Sequence, residues 1–431
     1  MIRLRRRAPI DRLTALIRTV RVLLLFEAAM YSALTPVLPH YARVLHAGKP
    51  ALGLLVASYP AGLIPGALVG GWLAARQGVR RTTIAGLVGF GVAIAGFGLS
   101  SQIVPLDLLR VAQGVFCGLI WGGGLTWLIA AAPLAQRGAA IGGAVAAATL
   151  GTLIGPLLGT LAETVGPGRV FCATGGVALV LAAWAATHPE PAPTGPAPSD
   201  APERSIAAQL GAAFAAGGFG IGTWLITLEA AFFGAAGVLL PLRMAHLGVP
   251  GWAIGATFVA ASALSAALSP FVGRAVDRRG ARRTMLNGLL ASVPLVAVMM
   301  IPHSPVLLVG LSIVALGAPL TAATIPAVSL MTDATERAAV TLILATTAVN
   351  LAYAVGETIG SPVAAGLSTV AGDLLPLFLI AALMAASYVI ARRGGGSGTS
   401  PAQAPGLDGA CTQDGTRRRT RASGEHELTR R

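Results

Sequence analysis

Three carboxylates and one guanidinium stand where this chain otherwise places almost no charge: Glu27, Glu229, Glu357 and Arg110 each lie inside a long apolar run. Carrying an ion into hydrocarbon costs about 3 kcal/mol or more, so such groups are retained where they face a partner or a water-filled cavity. A carboxyl group is anionic or neutral according to whether it holds a proton. A buried glutamate can therefore exchange a proton for a positive solute or for a conformational change, and each charge moved through 100 mV supplies about 2.3 kcal/mol. Proton-linked movement of a solute is the chemistry these residues suit. The competing use of the same residue is a protonated glutamate in a fixed interhelical hydrogen bond.

Their polar neighbours have helical spacing. Tyr31 follows Glu27 by one turn, and Asn350, Tyr353 and Glu357 form one stripe at i, i+3 and i+7. Arg110, Gln113, Cys117 and Trp121 share a face, with Asp107 one turn before Arg110 as a candidate neutralising partner. Trp127 and Trp224 offer flat surfaces to a substrate, although an aromatic in a span more often packs or anchors. Three acids against one arginine give a negative site that favours lipophilic cations or neutral compounds. The six histidines lie at the ends of apolar runs or between them, and Cys117, Cys172 and Cys411 are widely separated, so neither set suggests a metal site. No nucleophile–base or phosphate-cradling constellation stands out, which argues against an enzyme.

The elements that hold these residues follow from composition. Of 431 residues, 55% are hydrophobic and 11% charged, with mean hydropathy +0.74. That excludes a disordered chain and a disulfide-stapled module, and at about 20 apolar residues per transmembrane helix the length suits twelve spans. The apolar runs predict spans near 20–40, 51–75, 82–101, 105–132, 138–162, 169–187, 222–242, 252–275, 284–301, 305–331, 338–366 and 374–391. With a cytoplasmic N-terminus, 26 of the 31 Lys and Arg fall on the cytoplasmic side, which by the positive-inside rule puts both termini there. The net charge of +14 then sets topology and meets anionic lipid head groups, with no nucleic-acid partner required.

The chain repeats itself. Shifted by 202 residues without a gap, 27–82 matches 229–284 at 16 of 56 positions, pairing Glu27 with Glu229. Six prolines between 188 and 202 mark an extended strap between the halves. The expected organisation is a six-helix bundle over 1–187, a linker over 188–216 with a short amphipathic helix in 203–216, a second bundle over 217–393, and a Gly/Ser-rich then basic disordered tail over 394–431.

Between the eighth and ninth spans Gly273, Asp277, Arg278, Gly280 and Arg282 form a glycine turn with flanking arginines, copied in the first half by Gly71, Arg76, Gly78 and Arg80. This closely resembles the signature loop of the major facilitator superfamily, except that Ala75 stands where the first copy expects an aspartate. Arg110, Gln113 and Gly114 resemble the family's fourth-helix motif. Gly142, Gly151, Gly155, Pro156 and Gly159 resemble its antiporter motif, with Thr160 in place of the last glycine, and Gly356, Gly360 and Pro362 echo it in the eleventh span.

The resemblance covers 15–391 and implies an all-α membrane protein: twelve transmembrane helices in two pseudo-symmetric six-helix bundles around a central cavity. It is similar to the twelve-span drug:proton antiporter branch. It implies proton-coupled efflux of small lipophilic or amphiphilic compounds by alternating access, with uptake symport of a small metabolite as the alternative. Because the family's first helix lines the cavity, the resemblance makes Glu27 the leading coupling carboxylate. It also gives Asp277 a part in a charge latch that holds one face closed. A monomer in a bacterial inner membrane is expected, driven by the proton motive force without a cofactor; the bacterial source rests on thirty arginines against one lysine, a sign of a GC-rich genome.

Overall fold

The computed structural model describes residues 9–189, 205–338, 340 and 342–393. The proline-rich strap and the basic tail lie outside the described residues, which include no strand and form fourteen helices. In the first half these are α1 (Pro9–Ser32), α2 (Leu34–Val44), α3 (Lys49–Gln77), α4 (Val79–Leu99), α5 (Ile103–Ala131), α6 (Leu134–Val165) and α7 (Pro167–Ala186). The second half follows with α8 (Ile206–Ala215), α9 (Phe219–His246), α10 (Gly251–Arg279), α11 (Ala281–Val298), α12 (Pro305–Arg337), α13 (Leu342–Ala371) and α14 (Leu374–Arg393).

Nine of the described helices are long and apolar enough to cross a membrane. Twelve spans result when α1 and α2 are read as one broken helix and the short α8 is set aside. Ser205 caps α8 by accepting a hydrogen bond from the Ala208 amide at 3.2 Å. The first span was expected to be continuous over 20–40. Its helix instead begins at Pro9 and is interrupted at Ala33. Pro36 supplies the cause, because it has no N–H to give the Ser32 carbonyl and its ring crowds that oxygen.

Two buried apolar cores form, one drawn almost wholly from α1–α7 around Leu23, Phe90 and Trp127, and one from α8–α14 around Phe219, Phe232 and Met331. Small residues bring the helix pairs together. A Cβ on Gly151, Gly155 or Gly159 would run into Leu25 O, Ala29 O or Ala33 O, so α6 lies backbone to backbone on α1 and the start of α2. In the second half Gly356 and Gly360 bring α13 equally close to Thr227 and Ala231 of α9.

The signature loops are sharp reversals. Gly78 has φ 92° between α3 and α4, and Gly280 has φ 83° between α10 and α11, a conformation that disfavours any residue with a Cβ. By contrast Gly71, Gly142 and Gly273 meet nothing within 4 Å. Contacts between the halves gather at the opposite, arginine-poor end. There Gly53 of α3 packs on Ser361, Pro362 and Ala365 of α13, and Gly255 of α10 packs on Pro156 and Thr160 of α6. Thr160, where the sequence departs from the antiporter pattern, faces a glycine that makes room for it.

Candidate functional site

The middle of the first half gathers a polar cluster from three helices. Glu27 of α1 is 3% exposed, Arg110 and Gln113 of α5 are each 3% exposed, and Cys117 one turn further along is also buried. Glu27 accepts from the Tyr59 hydroxyl at Oε1 and from Trp121 Nε1 at Oε2, the latter at 2.7 Å. Arg110 does not pair with Glu27 directly. Its Nη1 donates to Gln113 Oε1 at 3.0 Å, its Nη2 to the Tyr31 carbonyl at 3.4 Å, and its guanidinium lies 4.7 Å from the centre of the Tyr59 ring. Arg110 Nε has no acceptor among the described residues. Gln113 in turn donates to the Ala93 carbonyl of α4 at 3.4 Å, which fixes its amide.

Tyr59 binds this cluster together. It donates to the carboxylate, carries the guanidinium on its face, and lies 5.1 Å from the Tyr31 ring. Tyr31 then crosses to the second half, donating to Glu357 Oε2 of α13 at 2.5 Å. Two carboxylates from different bundles are thereby linked through two tyrosines, with Arg110 over the ring of one of them. Tyr59 was missed in the sequence because a single tyrosine in the apolar α3 carries no local mark of partners 32 residues away on α1 and 51 away on α5.

On α13 the polar stripe runs from exposed Asn350 through half-buried Tyr353 to buried Glu357, and the Tyr353 ring lies tilted against Phe233 with centres 6.4 Å apart. Glu229 of α9 is held apart from Glu27. It is 8% exposed, accepts from Thr324 of α12, and lines a small cavity within the second bundle with Leu225, Leu228, Leu289, Ser292, Ala323 and Met384.

Two sequence expectations are corrected. Asp107 does not neutralise Arg110; its carboxylate is turned to α3, where it accepts from Ser58 at 3.5 Å. Trp127 lies wholly inside the first core, edge-on to His188 with ring centres 6.5 Å apart, so its face is not free for a solute. Trp224 donates to Ser387 of α14 at 2.8 Å.

The signature arginines are engaged away from this cluster. Arg80 donates to the Ala186 carbonyl, Arg282 to the Ala391 carbonyl at 2.5 Å, and Arg76 lies 4.4 Å from the Trp72 ring centre. Asp277 and Arg278 are exposed.

A family model described as Major Facilitator Superfamily matches residues 22–356, and again 222–406. No curated protein matches the chain. Among solved structures, a bacterial homolog of the human lysosomal transporter Spinster, in an inward-facing and unoccupied conformation, superposes with TM-score 0.73 at 14% identity, covering 89% of this chain and 97% of that one. The same homolog in its occupied form gives 0.69 at 15% identity with the same coverage. The nucleoside transporter NupG gives 0.67 at 11% identity, covering 88% and 98%. At these identities the likeness establishes the fold alone.

Proposed function

Because this chain belongs to the major facilitator superfamily, whose members are secondary transporters, we propose that it exports small lipophilic or amphiphilic compounds in exchange for protons by alternating access. The observation that carries the reading is the pair of buried carboxylates from opposite bundles, Glu27 and Glu357, joined through Tyr59 and Tyr31 beneath one arginine. Arg110 stacks on Tyr59 and forms no ion pair with Glu27. The carboxyl is therefore not locked as an anion and can take up or release a proton as the halves move.

The net negative balance of the cluster suits a cationic or neutral cargo, which Tyr31, Gln113, Trp121, Asn350 and Tyr353 would meet. Glu229, enclosed in the second bundle, is assigned a lesser part than Glu27 and Glu357. In this reading the faces bearing Gly78 and Gly280 are cytoplasmic, which the distribution of arginines supports, and the protein acts as a monomer in a bacterial inner membrane. The glycine pattern of α6 favours export over uptake.

Everted vesicles test this with a permanently charged lipophilic cation such as tetraphenylphosphonium. An imposed pH gradient, acid inside, should drive the cation inward while protons leave. Cation and protons moving in the same direction would establish symport and overturn the antiport reading.

A further inference from the structure

Lys49 is the sole lysine in a chain with thirty arginines. It opens α3, at a helix end where the macrodipole disfavours a cation, so its own helix gives no reason for it. The reason lies across the boundary between the halves. Its ammonium donates to Asp373 Oδ1 at 2.5 Å and to Ser368 Oγ at 2.9 Å, and Ser368 donates to the same carboxylate oxygen. The side chains are 34% and 14% exposed for Lys49 and Asp373, so the pair is partly withdrawn from water. One turn along α3, Gly53 presses on the backbone of Ser361 and Pro362, so the charges close a seam that is already tight.

The second seam at this end has a polar closure too. Glu163 of α6 pairs with Arg43 at 3.5 Å and its carboxylate lies against Gly251, the first residue of α10, where unpaired amides and the positive end of the dipole favour an anion. At the arginine-rich end the acid of the signature loop, Asp277, is exposed and makes no ion pair among the described residues.

We propose that Lys49, Asp373 and Ser368 form a clamp that holds the arginine-poor mouth shut, and that this clamp must break whenever that mouth opens. It shares no residue with the central cluster, so it holds whatever the cargo and whichever way the cargo moves.

The test places a thiol in the seam between α3 and α13 with Ala365→Cys, whose Cβ faces Gly53 of α3 across the boundary at a position 0% exposed in this state. The full-length protein is held in lipid nanodiscs, and the rate of modification by a charged methanethiosulfonate reagent is followed at that peptide by mass spectrometry. With Lys49 and Asp373 intact the thiol should react slowly. Adding Asp373→Asn should raise the rate about tenfold, the lower end of what a charge-assisted hydrogen bond contributes. The charge exchange Lys49→Asp with Asp373→Lys should return it toward the slow rate. An unchanged rate with Asp373→Asn overturns the clamp, and so does an equal rise in the exchanged pair, which would mark a loss of packing alone.

Discussion

Arg80 and Arg282 stand 202 residues apart and do the same thing in the two halves. Each reaches from the start of its bundle's third span to a carbonyl at the end of the bundle's last span, Ala186 of α7 and Ala391 of α14. Cations are favoured at helix C-termini, where carbonyls lack intrahelical partners. These arginines thus fasten the ends of each bundle together.

Arg80→Ala and Arg282→Ala should each cost about 1–2 kcal/mol of stability, seen as a lower midpoint of thermal unfolding in detergent. The two losses should add, since the sites are far apart. Topology should not invert, because the neighbouring arginines remain. An unchanged midpoint in both variants would confine these residues to a topological role.

Glu27→Gln should abolish gradient-driven accumulation of a lipophilic cation in everted vesicles while leaving expression and solubilised yield near the parent level. The amide oxygen still accepts from Trp121 and the NH2 can donate to the Tyr59 hydroxyl, which reverses its role, but the group exchanges no proton. Arg110→Ala should do likewise. Retained gradient-driven transport in Glu27→Gln would remove this residue from coupling.

Tyr31→Phe deletes only the hydroxyl that crosses to Glu357, and its ring stays against Tyr59. The rate of gradient-driven transport is expected to fall several-fold, with the unfolding midpoint shifted by no more than about 1 kcal/mol-equivalent. Glu229→Gln keeps an acceptor for Thr324 and should retain most of the activity. Equal losses in Tyr31→Phe and Glu229→Gln would contradict the special place given to the link between bundles.

The glycines of α6 separate into two kinds. Gly155→Val would drive its side chain into Ser32 and the Ala29 carbonyl and should cost about 1–3 kcal/mol or prevent folding. Gly142→Ala, facing open space, should be neutral or gain up to about 1 kcal/mol in thermal stability. Equal sensitivity at both positions would mean that the motif acts through something other than close packing.

Much of the fold was legible because its signals are local or periodic: apolar runs of spanning length, arginines confined to alternate loops, and a gapless repeat. The break at Ala33 escaped because hydrophobicity is unaltered across it and only the position of Pro36 marks it. In the candidate site, residue types and helical spacing picked out Glu27, Arg110, Gln113 and Glu357, which the structure draws together. Spacing does not report the rotation of one helix against another, so Asp107 was matched to Arg110 when Ser58 was nearer, and Trp127 was turned toward a cavity when it points into a core. Tyr59, and the pairing of Lys49 with Asp373 across 324 residues, depend on tertiary contacts with no local trace.

The backbone contact of α6 with α1, and of α13 with α9, leaves no slack in which either pair could slide. Each duo behaves as a single stiff beam, with Glu27 riding on one and Glu357 on the other. A beam about 30 Å long that tilts by about 10° about its middle sweeps each tip through roughly 2.6 Å. With Glu27 and Glu357 near the middle of the two beams, such a tilt would scarcely displace the carboxylates while carrying the ends through ångströms.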